Sequence, residues 1–263
     1  MVYLNYFIKL NQVDYMNKNS DMEINIILEE ERDFTDYTLI TGFHGIGACG
    51  FITVRHIIDS LKCKRIGYIE TEMLPALVSL EDNKLVMPFE FYEYEKNLMF
   101  IPRFQPYRAE QRIIARDLSN FVVQNKFKNA FMIGGLDSKF KKDDDTLCRV
   151  VPTRGALELV KNNDKIAILE KGLYVTGPLA LFLTYFEIQA FPALAILPYA
   201  ERERPDPRAS AEAIKTLNLF CEMTIDTEQL IKDAKRIETE LEEVFLQDRT
   251  EPTDSSDSRR MYI

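Results

Sequence analysis

Short unbroken hydrophobic runs alternate along the chain with longer stretches in which apolar positions recur every three or four residues. The short runs predict strands at residues 24–28, 37–41, 66–69, 130–133, 166–169 and 193–197. Between residues 73 and 102, β-like segments at 77–80, 85–87, 89–94 and 98–101 are divided by Asp82-Asn83 and Lys96-Asn97, the turn chemistry of hairpins. Helical spacing appears over residues 48–61, where Phe51, Val54, Ile58 and Leu61 share a face. It returns over residues 107–125, opened by Pro106 and carrying Ile113, Ile114, Leu118, Phe121 and Val122, and again from Arg154. Strands alternating with helices predict a three-layer α/β/α fold with a mainly parallel sheet, made mixed by the hairpin region.

The last third differs. Pro205-Asp206-Pro207-Arg208 opens a helix predicted to run through Cys221. Asp226 and Gln229 then have the spacing of a capping box. Beyond it Leu230, Ala234, Ile237, Leu241 and Val244 follow the period of a coiled-coil seam. That stripe suits either an oligomer contact or a helix packed on its own body. Residues 247–260 are polar and nearly devoid of apolar side chains, so burial cannot offset their ordering entropy. The expected organisation is one α/β domain over residues 1–246 and a flexible tail over 247–263.

Composition narrows the function classes. Among 263 residues, 33 Lys+Arg face 42 Asp+Glu, a formal net charge of −9. This balance argues against a general nucleic-acid binder, which needs a basic face to displace counterions from phosphates. Cys49, Cys63, Cys148 and Cys221 stand far apart without a C-x-x-C pair, so neither a zinc site nor a disulfide framework is expected. They read as reduced thiols of a cytoplasmic protein. Residues 1–10 are apolar but carry Asn5 and Lys9 and lack the basic start of a signal peptide. Residues 173–197 resemble a membrane span in apolarity, yet Pro178, Glu187 and Pro192 interrupt them. A buried helix at 178–186 followed by a buried strand at 193–197 is the expected form, with no membrane partner.

Candidate chemistry is sparse. Thr41-Gly42-Phe43-His44-Gly45-Ile46-Gly47 lies between a strand and a helix, where backbone N–H groups can hold a phosphate. It fits neither G-x-G-x-x-G in register nor a P-loop. A tight turn whose glycines permit close packing is the favoured explanation. Gly42, His44, Gly45 and Gly47 are therefore the candidate ligand turn of an alternative function, an enzyme or ligand-binding protein with a phosphate or nucleoside pocket. His44 as a helix cap and His56 as a surface or packed residue are the plain alternatives to catalysis, since G-x-S-x-G, H-E-x-x-H and Cys/His motifs are all missing. Lys139 to Asp145, with three consecutive aspartates, lacks the spaced ligands of a calcium loop and reads as a solvated loop. No metal and no cofactor is expected. Met261, Tyr262 and Ile263 instead combine two apolar side chains, an aromatic hydroxyl and a terminal carboxylate behind a polar tether. A pocket with a lysine can receive all of these at once.

That ending resembles the hydrophobic-Tyr-X (HbYX) motif by which proteasome activators dock onto the core particle. The body is similar to the archaeal proteasome assembly chaperone family, relatives of the second eukaryotic proteasome assembly chaperone. The matching features are the turn from Thr41 to Gly47, Ile133-Gly134-Gly135, the stretch from Gly172 to Gly177 leading into Pro178-Leu179-Ala180-Leu181, and Asp206-Pro207-Arg208-Ala209-Ser210-Ala211. The resemblance implies a core like that of nucleoside phosphorylases without a catalytic role. It also implies a homo-oligomer, with a homologous chaperone as a further partner, whose tails reach the proteasome α-subunits. In that mechanism Met261 and Tyr262 enter pockets between α-subunits, and the Ile263 carboxylate pairs with a pocket lysine. Residues 247–260 give a tether reach of about 20 Å. Several tails on one oligomer multiply a weak contact by roughly 10²–10⁴-fold.

Overall fold

A computed structural model describes residues 24–235 except 82, 143–145, 162–165 and 222. In chain order the elements are β1 (Ile24–Leu28), β2 (Thr38–Gly42), α1 (Cys49–Ser60), β3 (Lys64–Thr71), β4 (Ser79–Glu81), β5 (Lys84–Val86), β6 (Phe89–Tyr94) and β7 (Asn97–Pro102). They continue with α2 (Arg108–Gln124), β8 (Asn129–Ile133), β9 (Leu136–Asp137), β10 (Cys148–Pro152), α3 (Leu157–Lys161), α4 (Pro178–Ile188), β11 (Ala193–Ala200) and α5 (Pro207–Leu217).

The main sheet runs β1-β3-β6-β7-β2-β8-β11-β10, with β9 extending along β11. β7, β2, β8, β11 and β9 are joined by parallel pairings. β1, β3, β6 and β7 form an antiparallel flank, and β10 closes the other side antiparallel to β11. The sheet is thus mixed in nearly equal parts rather than mainly parallel. Its central strands β2, β8 and β11 read as nearly continuous hydrophobic runs because both faces are covered. Leu39, Phe100, Ala130 and Met132 meet α2 and α4 through a cluster that includes Leu118, Phe182 and Phe186. The alternate residues Ile40, Met99, Phe131 and Ile133 meet α1 and α5 through Val54, Ile57, Ile214 and Leu217. One-residue alternation along each strand thereby feeds two separate cores, the three-layer arrangement that the pattern predicts.

Several boundaries depart from the sequence expectation. α2 begins at Arg108, one residue late, because Tyr107 is its extended N-cap and Pro106 lies outside, its carbonyl accepting from Gln111 Nε2. The strand expected at 166–169 reduces to a single bridge between Ile168 and Val150. The segment touches β10 there and then turns, with the Leu173 amide donating to Glu170 O. The helix expected to reach Cys221 stops at Leu217, after which Asn218 ties the chain to Ile225 by two side-chain hydrogen bonds. β10 has no counterpart among the expected strands.

Residues 228–235 are helical. The helix starts one residue later than a cap at Asp226 requires, with Thr227 O accepting from the Ile231 amide; Asp226 Oδ1 accepts from the Glu228 amide, and the Gln229 side chain donates to Asp233. Leu230 and Ala234 are buried, Leu230 within the α1–α5 core, so the first two seam positions serve the chain's own body. Ile237, Leu241 and Val244 lie outside the described residues, as do Met261, Tyr262 and Ile263.

Candidate functional site

The loops at the carboxyl ends of the parallel strands, where α/β sheets characteristically place their binding sites, bring the four sequence motifs together. β2 ends at Gly42, and a Cβ there would lie 2.4 Å from Gly50 O on the first turn of α1. A Cβ on Gly50 would lie 2.3 Å from Ile133 O at the end of β8. Gly135, two residues beyond, approaches Ile46 O so closely that a Cβ would meet it at 2.3 Å. Gly47 has φ +62, the left-handed region that favours glycine, and faces Ala200 and Asp206. Its carbonyl accepts from the Asp206 amide at 2.8 Å. Leu179, from the motif that opens α4, occupies the space beside Gly134. Separate in sequence, three of these motifs meet backbone to backbone and the fourth joins them through the Leu179 side chain.

Both expectations for the 42–47 turn, a phosphate cradle and a packing turn, use glycine. The contacts around Gly42 and Gly47 supply the packing requirement, whereas Gly45 is exposed and has open space around it. His44 does not cap α1, whose N-cap is Ala48 without a side-chain bond. Its ring stacks on Phe51 at 4.1 Å, and burial lowers its pKa, favouring the neutral ring. His44 Nδ1 is buried without a partner. His56 Nε2 lies 2.7 Å from Asp226 O and 3.1 Å from Ser60 Oγ, holding the last described helix against α1.

α5 enters this junction through Asp206. Oδ1 of Asp206 accepts from the Ala209 amide and Oδ2 from the Glu201 amide, each at 3.0 Å, fixing the loop after β11 and the helix start together. Asp137 performs the same task at the end of β9. Its carboxylate accepts from the Lys139 amide, Lys139 Nζ and Arg202 Nε at 2.9–3.1 Å. The Lys139 and Arg202 bonds hold its pKa down to about 2. Lys139 is thereby engaged; residues 143–145 of that loop lie outside the described residues.

Alongside lies a cleft of about 450 Å³ between Tyr199, Leu147 and Pro205 on one side and Ile231 and Ala234 on the other, with Arg204, Glu201 and Glu212 among its polar lining. The Tyr199 hydroxyl accepts from Arg149 Nε at 3.1 Å, and Arg149 Nη2 donates to Glu170 at 2.6 Å. Sequence reasoning missed this cleft because its walls come from segments remote in sequence: Ser138 and Leu147, the end of β11, the start of α5 and the last described helix. The Glu201-Arg202-Glu203-Arg204-Pro205 run was the available signal.

None of the four cysteines is an activated thiol. Burial raises all four thiol pKa values, Cys63 and Cys221 to about 12, Cys148 to about 11, and Cys49 upward as well. Such thiols stay protonated at neutral pH and are poor nucleophiles. Among the described residues no cluster of three or more His, Cys, Asp or Glu side chains is placed to hold a metal, and no helix is long and apolar enough to cross a membrane.

A mixed sheet between paired helices, with its loops locked by glycine contacts, defines the class of α/β protein. Within that class the chain belongs to the PAC2 family, whose model matches residues 39–245. An uncharacterized protein of Methanocaldococcus jannaschii is 27% identical over 232 residues, covering 88% of this chain and 94% of that one. Among solved structures, Pyrococcus furiosus PbaA, described as an archaeal homolog of proteasome-assembly chaperone, superposes with a TM-score of 0.73. That match has 22% identity and covers 86% of this chain and 93% of PbaA. Pyrococcus furiosus PbaB, described as an archaeal proteasome activator, gives 0.69 at 18% identity, covering 84% of this chain and 98% of PbaB.

Proposed function

We propose that the chain is a proteasome assembly chaperone or activator, working in the cytoplasm by binding rather than catalysis, which docks on the core-particle α-subunits through Met261, Tyr262 and Ile263. The observation that carries this reading is the joining, in one sequence, of a PAC2 body over residues 39–245 to the ending Met261-Tyr262-Ile263. A shared fold hosts many functions, so that ending and what the two Pyrococcus proteins are described as doing support the role more than the fold does. Residues 1–246 serve as the body and 247–263 as a tethered tail. Met261 and Tyr262 supply the apolar and aromatic anchors, and the Ile263 carboxylate supplies a charge for a lysine in the receiving pocket. A three-residue contact is weak alone. A homo-oligomer bearing several tails, or one mixed with a homologous chaperone, raises the effective concentration enough for stable capture.

The test is capture of purified core particles by the full chain, by a chain lacking Met261 to Ile263, and by a chain extended past Ile263 with Gly-Ser-Gly. Loss of capture with both altered tails, at unchanged oligomer size, is the expected result. Full capture by either one overturns the tail mechanism. Peptide hydrolysis by the captured particles separates the two roles, since an activator raises it and an assembly chaperone need not.

A further inference from the structure

β4 and β5 form a sheet of their own, outside the main one. Each is three residues long, and a lone hairpin of that size is marginal in water. Apolar packing does little to hold it. Among the described residues from Ala76 to Val86, Val86 alone is buried. Leu80 and Leu85, opposite each other in the register, are 67% and 49% exposed. Guanidinium groups of the body hold the hairpin instead. Arg55 Nη1 donates to Glu81 at 3.0 Å, and Arg103 Nη1 lies 3.6 Å from the other oxygen of the same carboxylate. Arg65 Nη1 donates to Leu85 O at 2.5 Å.

Each of these arginines also has a carboxylate on the body. Arg55 Nε lies 3.4 Å from Asp59, one turn further along α1, while Arg65 and Arg103 donate to Glu90 at 3.1 and 3.2 Å. Breaking an ion pair is most costly when a charge is left buried and alone. Lifting the hairpin leaves none: every cation keeps an acid, and the Glu81 side chain, already 39% exposed, passes to water. One donor even gains. Arg103 Nη1 is buried without a hydrogen-bond partner while the hairpin is down, and opening hydrates it. The ends of the segment are tied. The Leu74 amide donates to Thr71 O, the Met87 amide to Glu90 and the Arg103 amide to Pro88 O, which confines movement to the residues between Leu74 and Met87.

We propose that the β4–β5 hairpin is a charge-latched arm that opens as a unit from α1 and the antiparallel flank, with Glu81 as its catch. Closed, it covers Arg103; open, it carries the Leu80–Leu85 pair away from the body while the main sheet stays intact. Ionic strength sets the balance, because the Arg55–Glu81 pair is partly exposed to salt whereas Glu90 is fully buried.

Amide hydrogen exchange on the full chain tests this. Raising NaCl from about 0.05 to 1 M, where the screening length falls to about 3 Å, should speed exchange in β4 and β5 severalfold and leave β6 and β7 unchanged. Glu81→Gln should speed the same amides about fivefold at low salt and remove most of the salt response. Asp59→Asn should act in the opposite direction, slowing them about twofold, because Arg55 then serves Glu81 alone. Amides of β4 and β5 that exchange at the rate of β6 and β7 would show that the hairpin has no opening of its own and would overturn the proposal. Rates unmoved by both salt and Glu81→Gln would overturn it as well, as would Asp59→Asn speeding exchange as much as Glu81→Gln does.

Discussion

The two halves of the sheet are held by different physics. In the parallel half, β2, β8 and β11 end in glycines or beside them, and the loops meet backbone to backbone with no room for a Cβ at Gly42, Gly50 or Gly135. In the antiparallel flank the ordering element is charge. Glu90, on β6, is completely buried, and its carboxylate accepts from Arg65, Arg103, the Tyr92 hydroxyl and the Met87 amide at 3.0–3.2 Å. The difference teaches where each half tolerates change. Close backbone approach fixes position without directional chemistry, whereas a buried carboxylate fixes its partners only while every one of them is present.

Removing that carboxylate is the largest perturbation. Glu90→Ala leaves Arg103 and Arg65 without their buried counter-charge, and breaking such a pair costs about 3–5 kcal/mol. Burial alone would lower the Arg103 pKa; its Tyr92 bond and the charges of Glu90 and Glu81 outweigh that and raise it, so the guanidinium stays charged and bears the loss. Denaturant unfolding checks the value, and a loss below about 1 kcal/mol would mean that water screens this network and that the flank is not organised by charge. Because Arg103 also lies against Glu81, amide exchange in β4 and β5 should rise in the same variant.

The parallel half is broken by volume instead. Gly42→Ala places a methyl 2.4 Å from Gly50 O, backbone that yields only if α1 shifts. Overpacking of this kind costs about 1–3 kcal/mol. Gly45→Ala, three residues away, meets nothing within 4 Å and is the matched control, expected to stay within about 0.5 kcal/mol. Equal losses at the two positions would show that loss of glycine flexibility, not crowding, governs the turn, and the contrast between the halves would fail.

How much of this was legible in the sequence follows the same division. Strands buried on both faces announce themselves as hydrophobic runs, so β2 and β8 appear within one residue of their ends and β11 appears from its true start, while the alternating β1 and β6 appear with their true ends. The helices α1, α2 and α4 were equally visible from spacing and from Pro178. β10 was not, because Cys148-Arg149-Val150-Val151-Pro152 carries an arginine whose partners, Tyr199 and Glu170, are remote in sequence. The Ile166 to Leu169 run looked like a strand but bridges β10 at Val150 alone, through Ala167 O and the Leu169 amide, and Ile168 is largely exposed. The glycine motifs were readable as motifs, but their convergence was not: spacing along a chain carries no record of which carbonyl each glycine will face. The buried Glu90 network had no signal at all, since Phe89-Glu90-Phe91-Tyr92 reads as an ordinary alternating strand.

A charge in the parallel half supplies the smallest and sharpest test. Asp137 resembles Glu90 in collecting donors, yet its partners Arg202 and Lys139 are themselves mostly exposed, so solvent shares the interaction. Its pKa, held to about 2 by Lys139 and Arg202, lies below the ordinary carboxylate value of 3.8. The folded state therefore binds this proton less readily than the unfolded chain. The stabilisation is fully present above about pH 4 and disappears as pH falls toward 2. Asp137→Asn should lower the melting temperature slightly at pH 7, and the gap to the parent should narrow as both are measured at successively lower pH between 4 and 2. A gap that stays constant across that window would place the effect in hydrogen bonding to the Lys139 amide rather than in charge. The parallel half would then be ordered by backbone geometry down to its last polar contact, and the contrast with Glu90 would be complete.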